Sequence, residues 1–182
     1  MDWLWQLDGS ILLWIQQYIR KEALDPFVLF LTNLGDAGWF WILLFAMLLL
    51  FSKYRKIAVT GFLALVIGFL ITNLCLKNMV ARIRPYEVVE GLTLIGKRAH
   101  DFSFPSGHST CSIAASVVLF AKLPKRSGIP ALTLGILICL TRLYIGIHYP
   151  TDVIVGMFVG IVAAFCAMQI VKTEKTGNFS EK

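Results

Sequence analysis

Long apolar stretches alternate with short charged connections along most of this 182-residue chain. A membrane-spanning helix needs about 20 predominantly apolar residues. Four charge-free stretches approach or reach that length, and a fifth, shorter stretch is rich in the small residues that permit close helix packing. The five are Ala37 to Ser52, Ile57 to Leu76, Gly107 to Ala121, Ser127 to Thr141 (continuing past Arg142 to Ile147) and Val153 to Val171. The pattern predicts an all-α, polytopic transmembrane helical bundle with five spans.

The first 35 residues follow a different pattern. Between Leu4 and Ile19, polar residues interrupt the apolar ones and collect on one side of a helical projection. All the tryptophans lie in the N-terminal part of the chain, as expected of interfacial anchors. We predict an amphipathic interfacial helix here, with a sixth span as the alternative, and a second short helix from Leu24 to Asn33. The chain then divides into residues 1–35 (interfacial helices), 36–172 (transmembrane core) and 173–182 (polar tail).

The distribution of basic residues predicts the orientation in the cell membrane. Two short connections carry Lys and Arg without acidic residues, and five spans place them on the same side as Lys172 and Lys175 of the C-terminal tail. They are "SKYRK" (Lys53, Arg55, Lys56) and "AKLPKRSG" (Lys122, Lys125, Arg126). Because basic loops stay cytoplasmic, this side and the C-terminus are predicted to be cytoplasmic. The net charge of +6 then reflects topology and gives no reason to expect nucleic-acid binding.

Six ionisable residues collect at the opposite, extracytoplasmic ends of the predicted spans. Such groups are costly at membrane depth and therefore indicate function. They are Lys77, Arg84, His108, Arg142, His148 and Asp152.

Local spacing connects these residues to one kind of ligand. If the helix continues, Lys77 and Arg84 share a face two turns apart and can bind one anion. Asp152 follows His148 by four residues across a natural helix start at Pro150 or Thr151, so its carboxylate can orient the imidazole. The segment "PSGH", residues 105–108, opens a helix whose N-terminus favours anions, and Gly107 permits close approach to the backbone.

Three cations, a helix N-terminus and two histidines suit a tetrahedral oxyanion, with phosphate the obvious candidate. One histidine would attack and the other would protonate the leaving group. No Cys, Asp or Glu cluster has metal-ligand spacing, so the cations are expected to neutralise the charge, without a metal or another cofactor.

Three motifs resemble, in order, the signatures of the type 2 phosphatidic acid phosphatase superfamily, the lipid phosphate phosphatases. They are "KNMVARIRP" (77–85), "PSGH" (105–108) and "TRLYIGIHYPTD" (141–152). The resemblance implies a helical-bundle, metal-independent phosphatase that acts through a phosphohistidine. By the same resemblance, His148 is the nucleophile, Asp152 its orienting partner and His108 the acid. Phosphate would be held by Lys77, Arg84, Ser106, Gly107 and Arg142. Thr141 occupies a position where the family usually has serine. Its hydroxyl can still donate a hydrogen bond to a phosphate or a neighbouring carbonyl, so the difference affects only the contact made by this side chain.

The expected substrate is a lipid phosphate or pyrophosphate in the bilayer. Undecaprenyl pyrophosphate comes first, because its phosphate is removed on the outer face; phosphatidylglycerophosphate and phosphatidic acid are the alternatives, with lipid A below them. A vanadium haloperoxidase-like enzyme and a non-catalytic transporter are remote readings.

Several other polar residues have plainer interpretations. We expect Arg82, Lys97 and Arg98 to be interfacial anchors and His100 a satisfied polar residue. Tyr86, Tyr144 and Tyr149 are expected to be interfacial aromatics.

Overall fold

The computed structural model describes residues 2–171, and every regular element in that range is helical. The helices are α1 (Asp2–Tyr18), α2 (Asp25–Leu34), α3 (Trp39–Leu49), α4 (Arg55–Phe69), α5 (Lys77–Val80), α6 (Pro85–Val88), α7 (Gly107–Lys122), α8 (Lys125–Tyr144) and α9 (Pro150–Ile170). A π-helical segment, Leu70–Leu76, joins α4 to α5. The all-α prediction is confirmed, whereas the predicted tail at 173–182 and the basic residues Lys172 and Lys175 lie outside the described residues.

The described helices include three that are long and apolar enough to cross a membrane. They are the stretch Ser52–Val88, whose apolar part lies in α4 and the π-helical segment after it, then Lys125–Tyr144 and Pro150–Ile170. A fourth is obtained if the pair Glu22–Leu34 and Asp36–Leu49, bent by 47°, counts as one span. Large apolar side chains such as Ile154, Phe158 and Phe165 point outward from α9, as expected on a lipid-facing surface. The chain is therefore a helical membrane protein.

Helix α7 lies at the centre of the bundle and packs against α4, α8 and α9. Its small residues Ala114, Ala115 and Ser116 are fully buried, so neighbouring backbones come close. A Cβ atom on Gly156 of α9 would lie 2.6 Å from the Ser106 carbonyl oxygen, and one on Gly160 would lie 2.6 Å from that of Thr110. The close approach at these two glycines holds α9 against the start of α7.

Helix α1 packs on the bundle through a narrow side. Leu12 is 1% exposed and Asp8 2% exposed, whereas Leu4, Leu7 and Trp14 of the apolar face point outward. Asp8 and Leu12 are buried against the rest of the protein, and Gln16 hydrogen bonds to Gly91 and Thr93, whereas the larger apolar face points away from the bundle.

The helix does not continue from Lys77 to Arg84, so that prediction is wrong. Helix α5 ends at Val80, and Ala81 adopts a left-handed conformation with φ of 48°. Arg84 is extended because Pro85 follows it and disfavours helical geometry in the preceding residue. The break turns the chain across the end of the bundle.

Candidate active site

A cavity of about 560 Å³ opens among α3, α4 and α7 at the end of the bundle where the motifs meet. Its walls are mostly apolar along α3 and α4, where it is lined by Ile42, Phe62, Leu65, Val66 and Phe69. One end is polar and is lined by Asn73, Lys77, Arg84, Asp101, His108 and Arg142. The cavity therefore joins a charged end to an apolar slot.

His148 and Asp152 lie side by side at the start of α9, as the four-residue spacing predicts. The Asp152 Oδ2 atom lies 3.5 Å from His148 Nδ1, accepts a 2.5 Å hydrogen bond from the Ser103 hydroxyl and caps α9 by accepting from the Tyr149 amide at 2.9 Å. Ser103 Oγ is also 3.4 Å from His148 Nδ1. The carboxylate is thus fixed from three directions, and the imidazole Nδ1 faces it.

Arg82 is buried beside Asp152 and is not an interfacial anchor. It is 6% exposed, and its guanidinium donates to Asp152 Oδ1 at 2.7 Å and to Asp8 Oδ2 at 2.8 Å. Its charge also lies 3.7 Å from the centre of the Tyr149 ring. Asp8 in turn accepts from the Thr151 hydroxyl and amide. The expectation for Arg82 is corrected, because two buried carboxylates hold it inside the protein.

Lys77 and Arg84 meet at one carboxylate despite the break between them. Both donate to Asp101, Lys77 to Oδ2 and Arg84 to Oδ1, the latter at 2.5 Å. Arg84 also donates to the Ile147 carbonyl at 3.0 Å, and its Nη1 lies 3.4 Å from His148 Nε2. Arg84 therefore stands between the cavity and the free nitrogen of His148.

His108 projects from the first turn of α7 toward a partner that sequence spacing did not indicate. Its Nε2 lies 2.7 Å from Asp36 Oδ1. A Cβ atom on Gly35 would lie 2.7 Å from His108 Cδ2, so only glycine leaves room for the ring. The turn between α2 and α3 thus positions both the imidazole and the carboxylate.

Ser106 caps α7, as the predicted helix start requires. Its hydroxyl accepts from the Ser109 amide at 3.4 Å, and its own amide donates to the Asp152 carbonyl at 3.0 Å. Gly107 faces Asn73, whose Oδ1 would lie 3.6 Å from an added Cβ atom and has no hydrogen-bond partner. The helix N-terminus therefore opens onto the polar end of the cavity.

Arg142 is buried, with 5% of its surface exposed, and lines the same end of the cavity. Its Nη1 donates to the Thr32 hydroxyl at 2.5 Å, while its Nε has no hydrogen-bond partner among residues 2–171. An unpaired buried donor of this kind is costly, and an anion would satisfy it. Thr141 donates to the Ile138 carbonyl at 2.6 Å, so its hydroxyl bonds within its own helix.

Burial is the main reason why the pKa of His148 falls to about 3, and the nearby arginines lower it further. The imidazole is therefore neutral at ordinary pH, as a nucleophile must be. Burial also raises the pKa of Tyr149 to about 12, so the ring beside Arg82 stays uncharged.

Taken together, the motif residues meet at one end of the bundle, and Asp36, Asp8, Arg82, Asp101 and Ser103 join them. Tyr144 and Tyr149 are 7% and 3% exposed, which corrects their assignment as interfacial aromatics. Within residues 2–171, no group of three or more His, Cys, Asp or Glu side chains could hold a metal ion.

The sequence model of the PAP2 superfamily matches residues 57–176. The chain is 31% identical over 156 residues to an undecaprenyl-diphosphatase of Sulfolobus acidocaldarius, covering 86% of this chain and 75% of that protein. It is 32% identical over 150 residues to the undecaprenyl-diphosphatase BcrC of Bacillus subtilis, with 80% and 74% covered. Among solved structures, Aquifex aeolicus LpxE superposes with a TM-score of 0.79 at 26% identity, covering 88% of this chain and 93% of that one.

Proposed function

Because this chain belongs to the PAP2 superfamily, we propose that it is a lipid phosphatase that hydrolyses undecaprenyl pyrophosphate at the extracytoplasmic face of the cell membrane. One observation carries the proposal: the cationic, histidine-bearing end of the cavity is continuous with its apolar slot. A phosphate group fits the first, and a hydrocarbon chain fits the second. The named activities of the undecaprenyl-diphosphatase relatives support the same substrate.

In the proposed reaction, the outer phosphoryl group is bound by Lys77, Arg84 and Arg142 together with Ser106 and the Gly107 amide at the start of α7. Cations and backbone donors at these positions stabilise the charge that develops on the phosphoryl oxygens. The cations would do this without a metal ion.

His148 Nε2 then attacks phosphorus while the bond to the bridging oxygen breaks. Asp152 holds the opposite nitrogen and stabilises the imidazolium that forms. His108 gives its proton to the departing lipid phosphate oxygen. Water next attacks the phosphohistidine, loses a proton to His108 and releases orthophosphate and free His148, so both histidines return to their starting states.

The proposed topology has five spans, with α7 as one of them although it has only 16 residues. The adjoining ends of α3 and α4, with Lys53, Arg55 and Lys56, would face the cytoplasm, as would the adjoining ends of α7 and α8, with Lys122, Lys125 and Arg126. The candidate site, at the other end of the same helices, would then face outward. The apolar face of α1 supports its position in the membrane interface.

A second candidate substrate class is a glycerophospholipid phosphate. The chain is 27% identical over 175 residues to phosphatidylglycerophosphatase B of Bacillus subtilis, with 90% of this chain covered. The apolar slot alone does not distinguish a polyprenyl chain from acyl chains. Comparison of the rates of phosphate release from the two classes of substrate is therefore needed to distinguish them.

The test is phosphate release by the purified full chain in detergent with EDTA present. The substrates are undecaprenyl pyrophosphate, phosphatidylglycerophosphate and phosphatidate. We expect the highest kcat/KM for the pyrophosphate, undiminished by EDTA, and a loss of at least about a thousandfold in His148→Ala. His100→Ala is the matched control, since His100 is an exposed histidine on the connection between α6 and α7. A strict requirement for added Mg²⁺, or full activity of His148→Ala, contradicts the mechanism.

A further inference from the structure

Asp101 occupies the position that the proposed function gives to a phosphate group. Each of its carboxylate oxygens accepts from a different cation, Oδ2 from Lys77 and Oδ1 from Arg84. A carboxylate bound in this way presents two anionic oxygens to the same donors that would bind two phosphoryl oxygens. A phosphate therefore cannot use both cations until the Asp101 side chain moves.

The Asp101 side chain has room to move, while its backbone is held in place. The side chain is 54% exposed, compared with 10% for Lys77 and 4% for Arg84. Arg84 Nε donates to the Asp101 carbonyl at 2.9 Å. The Ser103 amide donates to the Arg82 carbonyl at 2.8 Å and anchors the next turn of chain. A side-chain rotation can thus free the cations without unfolding the connection.

A second pocket, of about 370 Å³, shares Arg84, Ala99 and Asp101 with the main cavity. Asp101 therefore borders both the main cavity and this second pocket. Rotation of its side chain toward the second pocket would open the phosphate position.

The contact also explains why His148 does not line the cavity. Arg84, held by Asp101, places Nη1 3.4 Å from His148 Nε2, and His148 is only 2% exposed. In this arrangement the free nitrogen of the nucleophile is covered by a cation that Asp101 binds. Displacing Asp101 releases Arg84 to bind phosphate beside the nucleophile.

We propose that Asp101 is an internal competitor for the phosphate-binding cations, so that it weakens the binding of orthophosphate and favours groups of higher charge. The proposal rests on the phosphate site of the proposed function. A lipid diphosphate carries more negative charge than orthophosphate and therefore displaces the Asp101 carboxylate more readily, whereas the orthophosphate product is released as the Asp101 side chain returns to the two cations. Burial acts to raise the pKa of Asp101, but Lys77 and Arg84 outweigh it and lower that pKa to about 2. The competitor is thus charged throughout the neutral range.

The test measures orthophosphate binding to the full chain in detergent by titration calorimetry. Asp101→Asn removes the competing charge and keeps the size of the side chain. Glu90→Gln, at an exposed carboxylate on the same connection, removes an equal charge away from the two cations and is the matched control. We expect Asp101→Asn to bind orthophosphate about threefold to tenfold more tightly than the wild type, with Glu90→Gln unchanged. Asp101→Ala should behave like Asp101→Asn.

The sign of the change separates this role from a structural one. If Asp101 only holds Lys77 and Arg84 in position, its removal weakens orthophosphate binding, and that result overturns the proposal. An unchanged affinity, or an equal gain in Glu90→Gln, overturns it as well. Because binding is measured without turnover, a wild type that binds orthophosphate but hydrolyses no lipid phosphate refutes the proposed function alone.

Discussion

The nucleophile proposed for this site is a histidine that burial keeps neutral. His148 is 2% exposed, and its pKa falls from 6.5 to about 3. Because His148 stays neutral, we expect no loss of activity from its protonation as the pH is lowered through the neutral range. The unfolded chain binds this proton below about pH 6.5, so the folded state loses stability as pH falls from there toward about pH 3.

Histidine NMR of the free protein tests this prediction directly. We expect the imidazole resonances of His148, assigned by their absence in His148→Gln, to keep the chemical shifts of a neutral ring from about pH 8 down to about pH 5. A change to the shifts of an imidazolium within that range would contradict the prediction.

The proposed acid, His108, should matter most when the leaving group is a poor one. General acid catalysis contributes about 10² to 10⁴ in rate when the departing oxygen is strongly basic. We expect His108→Gln to lose activity on this scale with phosphatidate, whose leaving group is an alcohol, and far less with p-nitrophenyl phosphate. Parallel kcat measurements on the two substrates check the difference.

Asp36→Asn should show the same dependence on the leaving group, because Asp36 Oδ1 lies 2.7 Å from His108 Nε2. Asp25→Asn is a control, since Asp25 accepts from Tyr144 and is remote from His108. Equal losses on both substrates in His108→Gln would show that the residue does not protonate the leaving group.

The contacts that could be predicted from the sequence are those between residues a few positions apart. His148 and Asp152 are four apart across a helix start, so helical geometry alone brings them together. Asp36 meets His108 across 72 residues, and Asp8 meets Thr151 across 143. No local period relates such pairs, because only the packing of separate helices creates the contact. The environment of Arg82 could not be predicted for the same reason. Its position near the end of a span does not indicate whether its side chain points into the protein or away from it.

At the scale of elements, the N-terminal helix α1 contributes to holding Asp152, one of the two residues of the proposed catalytic pair, in place. Asp8 of α1 accepts from Arg82, and Arg82 donates to Asp152 of α9. Three elements that are far apart in the chain are thereby joined by two buried ion pairs. Neither Asp8 nor Arg82 lines the main cavity, so we expect their effect on the reaction to pass through the position of Asp152.

Replacing Asp8 therefore tests the role of α1 in catalysis. We expect Asp8→Asn to lower kcat by about ten- to a hundredfold through displacement of Arg82 and Asp152, with little change in KM. The measurement is steady-state phosphate release, with Asp25→Asn as the matched N-terminal control. A raised KM with unchanged kcat would show that α1 affects substrate binding and not the catalytic pair.

The break between α5 and α6 shows where sequence patterning fails at this scale. Seven-residue spacing correctly grouped Lys77 with Arg84, but for the wrong reason, because the helix ends at Val80. The sequence does show that Pro85 disfavours a helical conformation at Arg84. It gives no indication of the left-handed conformation at Ala81. Five helical stretches were nevertheless predicted with bounds close to those observed, since long apolar runs depend little on tertiary context.

At the scale of the whole molecule, the two ends of the bundle differ in their charged residues. The short connections before α4 and before α8 are basic and contain no acidic residue, whereas the candidate site at the other end balances its cations with Asp36, Asp101 and Asp152. Short loops that are rich in Lys and Arg tend to stay on the cytoplasmic side of a membrane. The proposed orientation, with these basic ends in the cytoplasm, would place the proposed phosphate site on the outer side.

Cysteine labelling in intact cells tests this orientation. In a chain whose four natural cysteines are replaced by alanine, Lys97→Cys and Arg126→Cys each introduce one exposed thiol, on the connection before α7 and at the start of α8 respectively. We expect a membrane-impermeant maleimide to label position 97 in intact cells and position 126 only after the membrane is permeabilised. Phosphate release by each variant verifies that it is folded. Labelling of position 126 alone in intact cells would invert the topology and place the phosphate site in the cytoplasm, where it could not act on a lipid exposed at the outer face.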